Sequence, residues 1–303
     1  MKKYSVLFRI VALVLAAACM VPVALAEAVP TETQYVAVDG PSPNSDLAFG
    51  SVCILNGCRT IDGYVPLAGS ERRLDSAMAA FAFERNTGTL VYAYNPDTKL
   101  PLGGLAKLVT VLLALEYCDL DEVLTVANNK RFPAGQVHVN LKNEEQLTVR
   151  DLLYCVILAN ASDACIVLSD RVAGNAENMV TMMNNRVRQM GCNSTNFSNV
   201  YGGDSGTAYT TARDMARITM ECMRNEEFQE ILTADTYQVP ATNRSDARKL
   251  ESANYFSYSQ NITKVYDSHV TGGFQSASTG TGASLVWTAN YRNMDMVFVV
   301  LGC

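Results

Sequence analysis

The sequence predicts an α/β (α+β) chain, an antiparallel sheet with a mainly helical subdomain inserted into it. Three observations carry this reading. AAFAFERNTGTLVYAY at residues 79–94 is two apolar runs around Asn86-Thr87-Gly88, the pattern of a β-hairpin whose glycine supplies a positive φ. The stretch from Leu105 to about Arg224 carries helical spacing and helix stop signals. The end of the chain, SLVWTAN and DMVFVVLGC around a turn at Tyr291-Arg292-Asn293, returns to strand-like alternation.

The elements follow in order. Residues 1–26 read as a secretory signal peptide, with Lys2, Lys3 and Arg9 before the apolar run Ile10–Val23 and the small-residue site Ala24-Leu25-Ala26. A lipoprotein site at Leu15-Ala16-Ala17-Ala18-Cys19 is the weaker alternative, because Ala16 is small and the apolar run continues past Cys19. The expected location is extracytoplasmic, secreted or wall-associated. Residues 27–75 have no sustained period and read as a linker; the folded domain is expected over 76–303.

After the hairpin, Leu105, Leu108, Val109, Leu112 and Leu115 mark one side of a helix that carries Lys107. LTVRDLLYCVILANASDACIVLSDRVAG reads as a long helical pattern interrupted at Asn160-Ala161-Ser162-Asp163 and stopped by Gly174. A Met-rich amphipathic helix is expected over about 176–190, with methionine as core filler. Thr210-Thr211 then caps a helix running to about Arg224.

Composition narrows the function. With 49% hydrophobic residues the chain can bury a sizeable core, and a net charge of −6 speaks against a nucleic-acid or anionic-membrane partner. The two histidines, His138 and His269, sit in no Cys/His cluster with metal-ligand spacing, so neither a metal nor a cofactor is expected. Of the nine cysteines, Cys53 and Cys58 are close enough for a local disulfide. Cys155 and Cys165 fall in an apolar helix and read as buried free thiols.

The order of these segments resembles a known family. The hairpin, the lysine helix, LTVRDLLYCVILANASDA, NRVRQMGCNSTNFSN, AYTTARDMA, HVTGGF and the final VVLG are similar to the serine-type D-alanyl-D-alanine carboxypeptidases of peptidase family S11. These are the low-molecular-weight penicillin-binding proteins. The resemblance covers about 76–303 and implies a β-lactamase/transpeptidase-like fold, with a final helix that would lie beyond Cys303. It also implies a reaction, removal of the terminal D-alanine of peptidoglycan stem peptides through an acyl-serine.

That chemistry needs three motifs, Ser-x-x-Lys, Ser-x-Asn and Lys-Thr-Gly. A serine hydroxyl attacks only when a neighbouring base takes its proton, and a lysine one turn on can do so if burial lowers its pKa. Carried onto this chain, each motif is broken. Lys107 fits the helix lysine, but the nucleophile position is Gly104. The second motif falls on Asn160-Ala161-Ser162, with amide and hydroxyl exchanged, and the third on Val270-Thr271-Gly272, with valine for lysine.

Other readings weigh on single residues. A lone helix lysine ordinarily snorkels, whereas in the family register Lys107 needs an acceptor from Asn160 or Ser162 and reads as structural. Asp163 reads as a hydrogen-bonding residue at a helix break, and His269 as pointing away from the cleft. Thr271, Gly272 and Gly273 offer a strand edge to which a peptide can add, and the amides of Gly104 and Gly273 could still form an oxyanion pocket. The leading expectation is a pseudoenzyme that keeps a groove for the D-Ala-D-Ala end of a stem peptide and binds it weakly. The rivals are residual hydrolysis with Ser162 as nucleophile, and an interaction protein for other envelope proteins with no peptide affinity.

Overall fold

The computed structural model describes residues 35–37, 51–53, 77–86, 90–128, 135–203, 206–252, 268–278, 282–291 and 294–303. The signal segment, Cys58 and the tip of the first hairpin lie outside these. A small ladder pairs β1 (Tyr35–Ala37) with β2 (Ser51–Cys53).

The main sheet is antiparallel, in the order β4-β3-β11-β10-β9. Its strands are β3 (Ala79–Glu84), β4 (Leu90–Tyr94), β9 (Val270–Ser278), β10 (Gly282–Tyr291) and β11 (Met294–Leu301). The hairpin at the start of the domain thus pairs with the final strand, Phe81 opposite Val299 and Phe83 opposite Val297. Because side chains alternate, one face of the sheet sends Phe81, Phe83, Phe274, Val286, Val297 and Val299 into the core under the helices. The other face gathers Ala82, Leu285, Trp287, Phe298 and Val300 into a second, smaller apolar cluster.

The helical part begins with α1 (Ala106–Tyr117), buried without interruption from Ala106 to Ala114. The expected one-sided stripe is therefore a helix enclosed on all sides, since it runs between the sheet and the other helices. The long helical pattern resolves into α2 (Val149–Leu158) and α3 (Ser162–Ala173), and Gly174, with φ +79°, ends the second. A capping box joins Thr148 and Asp151 at the start of α2.

The Met-rich helix α4 (Ala176–Gln189) buries Met179, Met183 and Val187, one residue per turn. Thr211 caps α5 (Ala212–Cys222) by accepting the Asp214 N–H, and Asn225 caps α6 (Glu226–Thr233). Two short hairpins, β5 (Val123–Thr125) with β6 (Gln146–Thr148) and β7 (Thr236–Val239) with β8 (Arg248–Glu251), complete the helical part. Cys155 and Cys165 are buried free thiols. Among the described residues no helix is long and apolar enough to cross a membrane.

Candidate active site

The turn that opens α1 is held by close backbone contact. Gly103–Leu105 forms one 3₁₀ turn, and the residue before it, Leu102, gives no side-chain cap. Against this turn lies the loop 199–203, where Asn199 Oδ1 accepts N–H groups of Gly202 and Gly203 at 2.6 and 2.9 Å. Gly202 has φ +81°, and a Cβ there would overlap the Gly103 carbonyl oxygen and come within 2.6 Å of Gly104 Cα. Only glycine lets the loop lie this close. Thr110, one turn along α1, donates to Val200 O at 2.7 Å and fastens the same loop to the helix.

Lys107 is 2% exposed, and its ammonium donates to Asn160 Oδ1 at 2.7 Å. Burial pushes the Lys107 pKa below its ordinary 10.5, partly countered by Cys165 and Asp163. Asn160 reaches it from the joint between α2 and α3, where its φ is +54°. Asparagine is among the few residues that enter this left-handed region at small cost, so the break in the helical pattern and the lysine partner are one feature.

Asp163, fully buried, accepts the N–H groups of Val139 and Leu141 at 3.2 and 3.1 Å and ties the preceding loop to the start of α3. Ser162 donates its own N–H to Val137 O at 2.8 Å. Its hydroxyl is buried and has no hydrogen-bond partner among the described residues.

Gly104, Lys107 and Asn160 therefore come together as expected. Ser162, two residues on from Asn160, is fully buried. The hydrogen bond of Lys107 runs to an amide oxygen, which has no proton to give. A lowered pKa makes the amine a candidate base, yet the group it touches is no nucleophile.

The third motif is placed differently from the expectation. The strand residue that meets Gly104 is Ser276, whose Oγ accepts the Gly104 N–H at 3.0 Å. Val270 lies six residues back on β9, about 20 Å along an extended strand, and packs against the apolar cluster on the far face of the sheet. Thr271 shares a hydroxyl contact of 2.9 Å with Thr288. A Cβ on Gly272 would meet Leu232 O and Thr233 at the end of α6, and one on Gly273 would overlap Trp287.

None of Val270, Thr271, Gly272 or Gly273 is brought to Gly104, and the Gly104–Gly273 amide pocket does not form. The physical reason is that alternation fixes which face a strand residue takes, not how far the strand slides past a helix end. Pairing with β10 sets that register here, with an irregularity between Thr288 and Ala289. One conclusion holds in either register: β9, VTGGFQSAS, contains no lysine or arginine. His269 is exposed, just before β9. Sequence reasoning missed Ser276, a small polar residue in a strand with no motif around it.

Known proteins match this chain in sequence and in fold. The family model of peptidase S11, D-alanyl-D-alanine carboxypeptidase, matches residues 69–303. The D-alanyl-D-alanine carboxypeptidases DacF of Bacillus subtilis and DacA of Haemophilus influenzae are 27% and 28% identical over 236 residues. Each alignment covers 75% of this chain and 57% of the relative, so the chain spans little more than half the length of the curated relatives it matches.

Among solved structures, a Streptomyces DD-transpeptidase aligns with TM-score 0.66 and 22% identity over 75% of this chain and 90% of that one. A Mycobacterium tuberculosis D-alanyl-D-alanine carboxypeptidase aligns with TM-score 0.66 and 19% identity over 75% and 82%. These structures share the fold of the penicillin-binding proteins. With three-quarters of its length matched from the first hairpin to the last strand, the chain belongs to the peptidase S11 family of D-alanyl-D-alanine carboxypeptidases.

Proposed function

We propose that this is an exported S11-type pseudoenzyme that has kept a groove for the D-Ala-D-Ala end of a peptidoglycan stem peptide and has no acylable serine in it. The observation that carries the reading is Gly104. It stands three residues before Lys107, has no side-chain atom to be acylated, and its amide is bonded to Ser276. Loss of one nucleophile in a serine hydrolase ordinarily costs several orders of magnitude in rate.

The groove is the edge of β9, the outermost strand of the sheet among the described residues, on the stretch beside Gly104. A peptide can add there as a further strand. Without a cation on β9 its terminal carboxylate gains no charge-assisted bond from that strand, so binding is expected near millimolar, about −4 kcal/mol.

Two measurements test the reading. Intact-mass analysis after incubation with a fluorescent penicillin is expected to return the unmodified mass. A stoichiometric adduct on any serine overturns it. NMR titration with a stem peptide ending in D-Ala-D-Ala is expected to shift resonances along residues 274–278 and around Gly104. No shift at millimolar peptide would leave the family fold without its ligand.

A further inference from the structure

We propose that Gly104 and Ser276 are one exchanged unit, in which a hydroxyl supplied from strand β9 takes both the place of a side chain at residue 104 and that residue's amide hydrogen bond. A Cβ built on Gly104 lies 2.8 Å from Ser276 Cβ and closer still to Ser276 Oγ. Rotating χ1 of Ser276 moves Oγ away but leaves Cβ where the strand backbone fixes it. Turning the serine therefore does not make room. The next nearest heavy atom is Asn160 Oδ1, at an ordinary 3.6 Å.

The backbone does not ask for glycine here. Gly103 and Gly202 have positive φ, while Gly104 is absent from the positive-φ residues and sits in a helical turn. Glycine in such a turn is less stable than alanine, because it loses more freedom on folding. What excludes a side chain at 104 is thus the neighbouring strand and not the local conformation.

Ser276 gives something in return. The first N–H groups of a helix have no partner within it, and Leu102 provides no cap. The Ser276 hydroxyl accepts the Gly104 N–H at 3.0 Å and so caps the turn from across the site. It is a positioning residue for the start of α1. A ligand oxygen seeking the Gly104 amide meets this hydroxyl already in place. This last consequence rests on the pseudoenzyme reading; the pairing itself rests on geometry alone.

The test is a set of thermal midpoints that needs neither substrate nor β-lactam. Gly104→Ala is expected to lower the midpoint in the natural background and to raise it in the Ser276→Gly background, a reversal of sign. In the Ser276→Ala background, which keeps Cβ and loses only the hydroxyl, Gly104→Ala should still lower it. Amide exchange at Gly104 should speed up in both Ser276→Ala and Ser276→Gly.

If Gly104→Ala alone fails to fold, a folded Gly104→Ala/Ser276→Gly double variant gives the same support. Equal shifts of the midpoint in all backgrounds overturn the pairing, as does unchanged Gly104 exchange without the hydroxyl. Penicillin labelling decides the pseudoenzyme reading separately, so either can fail without the other.

Discussion

Replacing Asn160 should expose what Lys107 is for. Asn160→Gly keeps a residue at ease with φ +54° and removes the acceptor 2.7 Å from the lysine ammonium. A hydrogen bond to a charged group is worth about 1.5–3 kcal/mol, and Lys107 is only 2% exposed. For a domain of this size each kcal/mol moves the thermal midpoint by about 2–4 °C. Asn160→Gly is therefore expected to lower it by about 3–12 °C.

The companion variant, Lys107→Met, fills a similar volume without a charge. In the Asn160→Gly background it should recover most of the loss, giving a coupling of about 1.5–3 kcal/mol in a double-mutant cycle followed by urea denaturation. If Asn160→Gly stays within about 0.5 kcal/mol of the natural protein, or Lys107→Met fails to recover it, the lysine is not held by this bond. Lys107 would then not be a structural cross-tie between α1 and the α2–α3 joint.

Three further outcomes follow from the same geometry. Gly104→Ser alone should release no D-alanine from a stem peptide, because the new side chain meets Ser276 and β9 offers no cation to the substrate carboxylate; turnover at the rate of a family enzyme would refute this. Gly273→Val should lower the thermal midpoint by the equivalent of about 1–3 kcal/mol of overpacking, since its Cβ would overlap the Trp287 ring and lie 2.7 Å from Val286 O. The stability difference between the natural protein and Lys107→Met should change with pH below 10.5. The unfolded lysine keeps its proton to about that value while the folded one loses it earlier, so unfolding takes up a proton and the natural protein gains stability as pH rises through that window.

How much of this was legible in the sequence depends on whether a feature is local. Thr211, Gly174 and the Asn160 break are decided by backbone chemistry within a few residues, and helices α3 and α5 end or begin where those residues place them. Lys107 and Gly104 are three residues apart on one turn, so their relation needed no tertiary information. The position of β9 was another matter. Val270-Thr271-Gly272-Gly273 has the small residues of a substrate-facing strand, but contact with the helix end is made by a residue further on, fixed by pairing across the sheet. The β7–β8 hairpin was equally silent, because it is tied down by distant partners such as the Arg248–Glu145 ion pair at 2.6 Å.

On the proposed pseudoenzyme reading, the residues around position 104 account for a site without a nucleophile in an intact fold. A buried lysine without a partner, or a helix start with an uncapped amide facing a void, would each cost about 1–3 kcal/mol, a large share of the 5–15 kcal/mol that holds a domain together. Here the lysine is met by Asn160 and the amide by Ser276. The two partners come from different elements, the α2–α3 joint and β9, and both converge on the position that Gly104 leaves open. Any side chain placed at that position must therefore displace Ser276, while Asn160 Oδ1 stands at an ordinary contact distance, so a nucleophile at residue 104 requires a change on β9 as well.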